Sequence, residues 1–245
     1  MLDSSHDWSM EFVQALLASN ADWKNIDVSS RNKNSAISHS SPTSLRWQDD
    51  KIIEFISGFT SEGVSVLDLG CGDGELLARL RVSCKARVQG VEKNPLEVKA
   101  CIKRGIPVFH VDLDGGLAGL SDNSFDVVVL EETLQTLIHP DLVLSEMLRV
   151  GKIGIVSFPN FASWRVRLHL LFEGRMPNTD SLPHRWYNTP NIHLCTLDDF
   201  FDLASEKNIS VIHGWVLVDG KIRALEASDN LHADEALLIL RKSVQ

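Results

Sequence analysis

Val66-Leu67-Asp68-Leu69-Gly70-Cys71-Gly72-Asp73-Gly74 reads as an apolar strand, an acidic residue, three glycines at alternate positions, and then a helix opening near Glu75. A strand that turns directly into a helix must bend sharply, and glycine adopts the dihedrals this needs. Glycine also leaves bare backbone for a ligand to lie against, and the following helix N-terminus carries N–H groups with no intrahelical partner. The stretch is expected to hold something polar close to the main chain; a purely structural turn is the bland alternative.

On either side the chain alternates between helix and strand patterns. A helix is expected over Trp47 to Ser57, with Ile52, Ile53, Phe55 and Ile56 apolar. Strands are expected at Ser65 to Leu69, Ala86 to Glu92, Pro107 to Asp112, Phe125 to Glu131, Lys152 to Phe158, Ser210 to Val218 and Ala236 to Leu240. Helices fall at Gly74 to Leu80, Pro95 to Arg104, Asp141 to Val150 and Thr196 to Lys207. The continuously apolar run Val127-Val128-Val129-Leu130 suits a strand buried on both faces. The pattern predicts an α/β fold with a doubly wound, mostly parallel, seven-stranded sheet. Residues 1–44 read as an N-terminal appendage, a short amphipathic helix followed by a flexible Ser/Asn/Lys-rich linker. Residues 45–245 read as the domain, with a lid or partner-binding insert at about 160–195.

The formal net charge of −9 argues against duplex nucleic acid as a bulk partner. The apolar runs are strand-length, so no membrane span is expected. No basic region precedes an apolar one at the N-terminus, so no secretory signal is visible and a cytoplasmic setting is expected. Cys71, Cys84, Cys101 and Cys195 form no C-x-x-C pair, so reduced thiols and no metal site are expected.

Three ligands compete for the glycine turn. A dinucleotide fingerprint places its third glycine where Glu75 stands, and a carboxylate there would repel a pyrophosphate. A P-loop requires a Lys that is absent here. The Asp-x-Gly-x-Gly-x-Gly form resembles motif I of class I S-adenosylmethionine (SAM)-dependent methyltransferases, whose ligand carries no phosphate. In doubly wound sheets ligands sit at the carboxyl ends of the strands. Asp68 suits an ammonium, Glu92 two ribose hydroxyls and Asp112 an adenine amino group, while Glu131 and Glu132 place negative charge near a sulfonium. Glu92 alone also fits NAD, and disfavours a 2′-phosphorylated cofactor.

The segment after the fifth strand is more specific. It contains Ser157-Phe158-Pro159-Asn160-Phe161-Ala162-Ser163-Trp164-Arg165, Gly174-Arg175-Met176-Pro177, and Leu182-Pro183-His184-Arg185-Trp186-Tyr187-Asn188-Thr189-Pro190-Asn191-Ile192-His193-Leu194-Cys195-Thr196. With Val111-Asp112-Leu113-Asp114 and Asp122-Asn123-Ser124-Phe125-Asp126, it closely resembles the MetW family of methionine biosynthesis proteins, over roughly 45–209. The resemblance implies a class I methyltransferase fold that binds SAM or S-adenosylhomocysteine (SAH) and acts with a homoserine O-acyltransferase as an accessory or regulatory subunit in a hetero-oligomer. An active methyltransferase on an unidentified acceptor is the alternative. Implied cofactor positions are Asp68, Gly70, Cys71, Gly72, Glu92, Lys93, Asp112, Leu113 and Glu131. The pair Glu131-Glu132 departs from the more neutral polar pair expected of the family.

No catalytic residue is assigned. The [ND]-P-P-[YF] motif of amino and nucleobase methyltransferases is replaced after strand four by Glu131-Glu132-Thr133-Leu134, and Phe158-Pro159-Asn160-Phe161 follows the wrong strand. His139, His184 and His193 are the residue type most often used as a general base, though a lone His is more often structural. In the insert, Arg165, Arg167, Arg175 and Arg185 face only Glu173 and Asp180, and Trp164, Trp186 and Tyr187 accompany them. That composition suits an interface or a carboxylate pocket.

Overall fold

The computed structural model describes residues 46–59 and 63–243; the expected N-terminal helix and linker lie outside the described residues. The elements are α1 (Trp47–Ser57), β1 (Ser65–Leu69), α2 (Glu75–Ser83), β2 (Arg87–Glu92), α3 (Pro95–Lys103), β3 (Val108–His110), β4 (Phe125–Glu131), α4 (Pro140–Val150), β5 (Gly151–Pro159), α5 (Trp164–Glu173), α6 (Leu197–Glu206), β6 (Ile209–Val218), β7 (Lys221–Ala224), α7 (Asp229–His232) and β8 (Glu235–Lys242).

The strands form one sheet in the order β3-β2-β1-β4-β5-β8-β6-β7. Strands β1 to β5 run parallel, with Asp68 registered against Gly90 on one side and Val129 on the other. β8 runs antiparallel to both β5 and β6. The doubly wound architecture is as expected, with one strand more: β7 returns antiparallel along β6 as an edge hairpin. Its turn is Asp219-Gly220, both at positive φ (51° and 73°), the two-residue turn whose twist matches flanking strands.

Period-two alternation sorts the core onto two faces. Val66, Val127, Val129 and Ile155 pack with Ile52 and Ile56 of α1, Leu77 and Leu80 of α2, and Cys101 of α3. Leu67, Leu69, Val128, Leu130 and Phe158 pack on the other face with Leu144 and Met147 of α4 and Phe200 of α6. A strand covered on both faces has no solvent side, which is why 127–130 shows no polar alternation. Each fully buried side chain of this size contributes about 1.5–3 kcal/mol.

Helix starts follow local chemistry. Asn94 accepts from the Leu96 N–H at 2.9 Å ahead of Pro95, and Thr196 Oγ1 accepts from the Asp199 N–H at 3.1 Å. Such caps contribute about 1 kcal/mol each. His139 precedes Pro140 at the start of α4 as a turn residue, its N–H donating to Asp114 Oδ1 at 2.9 Å. β3 is shorter than the expected 107–112, because Asp112 caps a 3₁₀ turn at Leu113–Gly115 and accepts from the Asp114 N–H.

Candidate functional site

The strand order reverses between β1 and β4, so a crevice opens at the carboxyl ends of β2, β1 and β4. The glycine turn forms its floor. Gly70, Gly72 and Gly74 all hold positive φ (78°, 52° and 78°), a region that disfavours any side chain. Their surroundings differ. A Cβ on Gly70 would lie 2.6 Å from Thr133 Oγ1, and one on Gly74 would lie 3.0 Å from Cys101 Sγ. A Cβ on Gly72 would meet nothing within 4 Å. Two of the glycines therefore admit neighbouring side chains, and Gly72 faces open space.

Most N–H groups of the glycine turn itself have acceptors within the protein. Gly70 and Cys71 both donate to the Val91 carbonyl, at 2.8 and 3.1 Å, and Gly74 donates to the Cys71 carbonyl at 3.0 Å. Gly72 donates to Glu92 Oε2 at 2.9 Å, and Glu75 to Asp73 Oδ1 at 3.1 Å. Gly70, Cys71 and Gly72 thus donate to β2, and Gly74 and Glu75 to acceptors within the turn. A pyrophosphate cradle needs free donors; here the crevice presents carboxylate oxygens instead.

Those carboxylates fall into two groups. Glu92 is buried and fixed from both sides, since its Oε1 also accepts from the Asn94 N–H at 2.7 Å. Each oxygen keeps a further lone pair for an incoming hydroxyl. Lys93 beside it is exposed, as is Asp112 at the end of β3, while the Leu113 side chain packs into the core. Cys71 lies against Gly90, which has no room for a Cβ, and its Sγ is 3.8 Å from Cys101 Sγ. Burial pushes the Cys71 thiol up, so it is an inert packing group.

The second group lies over β1 and β4, on the face covered by α1. Asp68 is 4% exposed. Burial, then the charges of Asp49 and Glu92, push its carboxyl up to about 7, with Arg46 opposing. Burial likewise holds Glu131 well above the usual carboxylate range, and Asp49 adds to it. Glu131 Oε1 is buried without a hydrogen bond, and Arg46 Nη1 stands 3.8 Å from it and 3.7 Å from Glu132 Oε2. Glu132 itself sits at φ 46°, in the left-handed region, with its N–H held by Ser157 Oγ at 3.1 Å.

Sequence reasoning missed the N-terminus of α1. Trp47 Nε1 donates to Glu235 Oε2 at 2.7 Å, and Gln48 Nε2 donates to Glu235 at 2.8 Å and to Glu132 at 3.3 Å. Asp49 accepts from Arg79 Nη1 at 2.8 Å, tying α1 to α2. The available signal was polar Gln48 and Asp49 on the stripe that carries Ile52 and Ile56, where an amphipathic helix should be apolar.

The insert is anchored by side chains that looked functional. Asn160 is buried; its Nδ2 donates to the carbonyls of Ala233 and Asn230, and its Oδ1 accepts from the N–H groups of Ala162 and Leu197. It is a structural clamp. Arg165 pairs with Asp219 and Asp234, outside the insert, and stacks 4.6 Å over Trp164. Arg167 donates to the Ala162 carbonyl. Residues 174–196 then run without helix or strand, exposing Trp186, Tyr187, Ile192 and Leu194. The Ile192 and His193 N–H groups both donate to the Gln135 carbonyl, at 2.9 and 3.0 Å, and Gln135 Nε2 donates to the Glu132 carbonyl at 2.9 Å. The loop after β4 thus joins the crevice to the insert. His139, His184 and His193 are exposed. Among the described residues no group of three or more His, Cys, Asp or Glu is arranged to hold a metal ion, and no helix is long and apolar enough to cross a membrane.

Comparison with solved structures places the fold. A SAM-dependent methyltransferase of Thermotoga maritima, described as a possible histamine N-methyltransferase, superposes with a TM-score of 0.57 at 16% identity, over 80% of this chain and 89% of that one. A chain from the complex of the Haloferax volcanii Trm112 methyltransferase activator with a putative methyltransferase gives 0.55 at 18% identity, over 81% and 90%. The [4+2]-cyclase SpnF gives 0.56 at 17%, over 80% and 82%. At such identities the likeness shows the fold alone, and one fold hosts several chemistries. The bifunctional methionine biosynthesis protein MetXA/MetW of Rhodopirellula baltica is 36% identical over 213 residues, 82% of this chain; the chain spans 34% of that relative's length. The model of the family described as methionine biosynthesis protein MetW matches residues 49–240. The chain belongs to the MetW family.

Proposed function

We propose that this chain binds SAM, or its demethylated product SAH, at the carboxyl ends of β1, β2 and β4, and acts as an accessory, regulatory subunit of a homoserine O-acyltransferase in the cytoplasm. The observation that carries the ligand reading is the lining of the crevice: the N–H groups of Gly70, Cys71, Gly72, Gly74 and Glu75 have acceptors within the protein, and Glu92, Asp68 and Glu131 present acceptors and negative charge. A ligand with two ribose hydroxyls, an ammonium and a sulfonium matches that lining, and a phosphorylated one does not. In this reading Glu92 holds the ribose, Asp112 and the backbone at Leu113 face the adenine, and Gly72 gives room for the nucleoside. The partner reading is supported by the fused MetXA/MetW relative. The exposed Trp186, Tyr187, Ile192 and Leu194 offer a surface of the kind interfaces use. Occupancy of the crevice would reach that surface through Glu132 and Gln135. Such coupling is reciprocal, so the acyltransferase changes ligand affinity by the factor by which ligand changes acyltransferase binding.

Calorimetry with SAM and SAH, repeated with the acyltransferase present, tests both halves. Loss of ligand binding sinks the first; an acyltransferase that neither associates nor changes the ligand constant sinks the second. One observation favours a second reading, in which methyl transfer occurs. Glu131 is a buried carboxylate without a hydrogen bond on Oε1 and held above the usual range, as a general base is. Transfer of labelled methyl from SAM to a lysate fraction by the wild type, and its loss in Glu131→Gln, would support that reading over the first.

A further inference from the structure

We propose that Glu131 makes this crevice select the cationic sulfonium of SAM over the neutral thioether of SAH. The inference rests on the ligand reading above and adds its specificity. The order of the strands carries the placement. With adenine toward β3 and ribose on Glu92 of β2, the remaining atoms of the ligand extend past the glycine turn toward β4, where Glu131 ends the strand. Val127, Val129 and Glu131 alternate onto one face with Val66 and Asp68, so both carboxylates lie under α1.

Glu131 is built unlike a solvated strand end. Its side chain is 9% exposed, and its Oε1 has no hydrogen bond. A buried charge in that condition is unfavourable unless a counter-charge arrives. Arg46 is a weak counter-ion: its guanidinium stands 3.8 Å away, is 57% exposed, and is shared with Glu132. The other charged groups facing this end are acidic: Asp49 from α1, Asp68 from β1, Glu75 from α2, and Glu235 from β8 beside Glu132. Asp49 is already paired with Arg79. The local balance is negative, and the ammonium common to both ligands can be met by Asp68. What distinguishes SAM is its second positive charge, which meets Glu131.

The sign of the pH dependence follows. Burial and Asp49 hold Glu131 above its ordinary range, so it ionises only as the pH rises, and discrimination between a cation and a neutral analogue rises with it. The test is calorimetry of the full chain with SAM and with SAH at pH 6, 7 and 8, for wild type and Glu131→Gln. Wild type should bind SAM about tenfold more tightly than SAH at pH 8, with the ratio narrowing toward pH 6. Glu131→Gln, which keeps the shape and removes only the charge, should bring the ratio to within about twofold at every pH while leaving SAH affinity nearly unchanged. Glu132→Gln, a partly exposed neighbour held by Gln48, should change the ratio by less. Equal SAM and SAH affinities in wild type, or a ratio unmoved by Glu131→Gln, would overturn the selectivity while leaving SAM binding intact. Binding of neither ligand to wild type would overturn both readings.

Discussion

Replacing Glu92 by Gln tests the ribose contact and the architecture of the turn together. Glu92 Oε2 accepts from the Gly72 N–H at 2.9 Å and Oε1 from the Asn94 N–H at 2.7 Å. Glutamine keeps one acceptor and turns the other into a donor that faces an N–H. One charge-assisted bond is lost and the other becomes neutral. Hydrogen bonds to a charged group are worth about 1.5–3 kcal/mol and neutral ones about 0.5–1.5. In the ligand-free protein the substitution should cost about 2.5–4.5 kcal/mol, lowering the melting temperature by about 2–4 °C per kcal/mol. The two ribose hydroxyls differ, because a hydroxyl can also accept from the new amide N–H. Both bonds become neutral, a loss of about 2–3 kcal/mol, or roughly 30- to 150-fold in affinity at 1.4 kcal/mol per tenfold. Thermal melts and calorimetry with SAM read the two effects separately. A lowered melting temperature with affinity within threefold of wild type would refute the ribose assignment; unchanged melting would refute the bonds to Gly72 and Asn94.

Asp68→Asn should stabilise the ligand-free protein and weaken SAM binding. The folded-state carboxyl titrates near 7 against about 3.9 unfolded. The folded state therefore holds the proton more tightly, and wild-type stability falls as pH rises from about 4 to about 7. The advantage of Asn should be absent at pH 4 and full at pH 8, at ~4 kcal/mol for a shift of about three pH units, or about 8–16 °C; a pH-independent difference would be contrary to this account. Gly70→Ala and Gly72→Ala should separate packing from binding. The first adds a Cβ 2.6 Å from Thr133 Oγ1 at a cost of about 2–4 kcal/mol from strain and overpacking. The second meets only backbone strain of ~1 kcal/mol, yet should abolish SAM binding in a protein that still melts cooperatively. The double variant Trp186→Ala, Tyr187→Ala, at positions 74% and 62% exposed, should leave melting and SAM affinity unchanged and weaken capture of the acyltransferase at least tenfold; full capture would place the partner elsewhere.

Local chemistry made most of the fold legible. The apolar run at 127–130, the strand ends at Asp68 and Glu92, and the Thr196 and Pro95 helix starts depend on neighbours in sequence, and they stand where expected. β7 was missed although Asp219-Gly220 is a hairpin signal, because a four-residue edge strand has little apolar content to mark it. Other features depend on partners far along the chain. That Gly70 and Cys71 donate to the Val91 carbonyl depends on β2, some twenty residues along the chain. Arg165 read as an interface or pocket residue because its partner Asp234 lies some seventy residues away. Arg46, at the edge of a polar linker, gains its meaning from Glu131.

The glycine turn and the end of β4 carry different information. In the proposed site Gly72 and Glu92 supply room and acceptors for a nucleoside. Reaction is decided one strand further on, where a methyl acceptor would have to meet the sulfonium. Here that position holds buried acid instead of the amide-and-proline motif of amino methyltransferases, and the loop beyond it is bonded to the exposed insert through Gln135. Charge at that point favours a bound cation, whereas transfer removes the positive charge and leaves the carboxylate without its counter-ion. An arrangement that stabilises the methylated form more than the demethylated one opposes turnover and favours retention. The same residue that sharpens recognition of SAM therefore weighs against methyl transfer, and both effects should disappear together when Glu131 is neutralised.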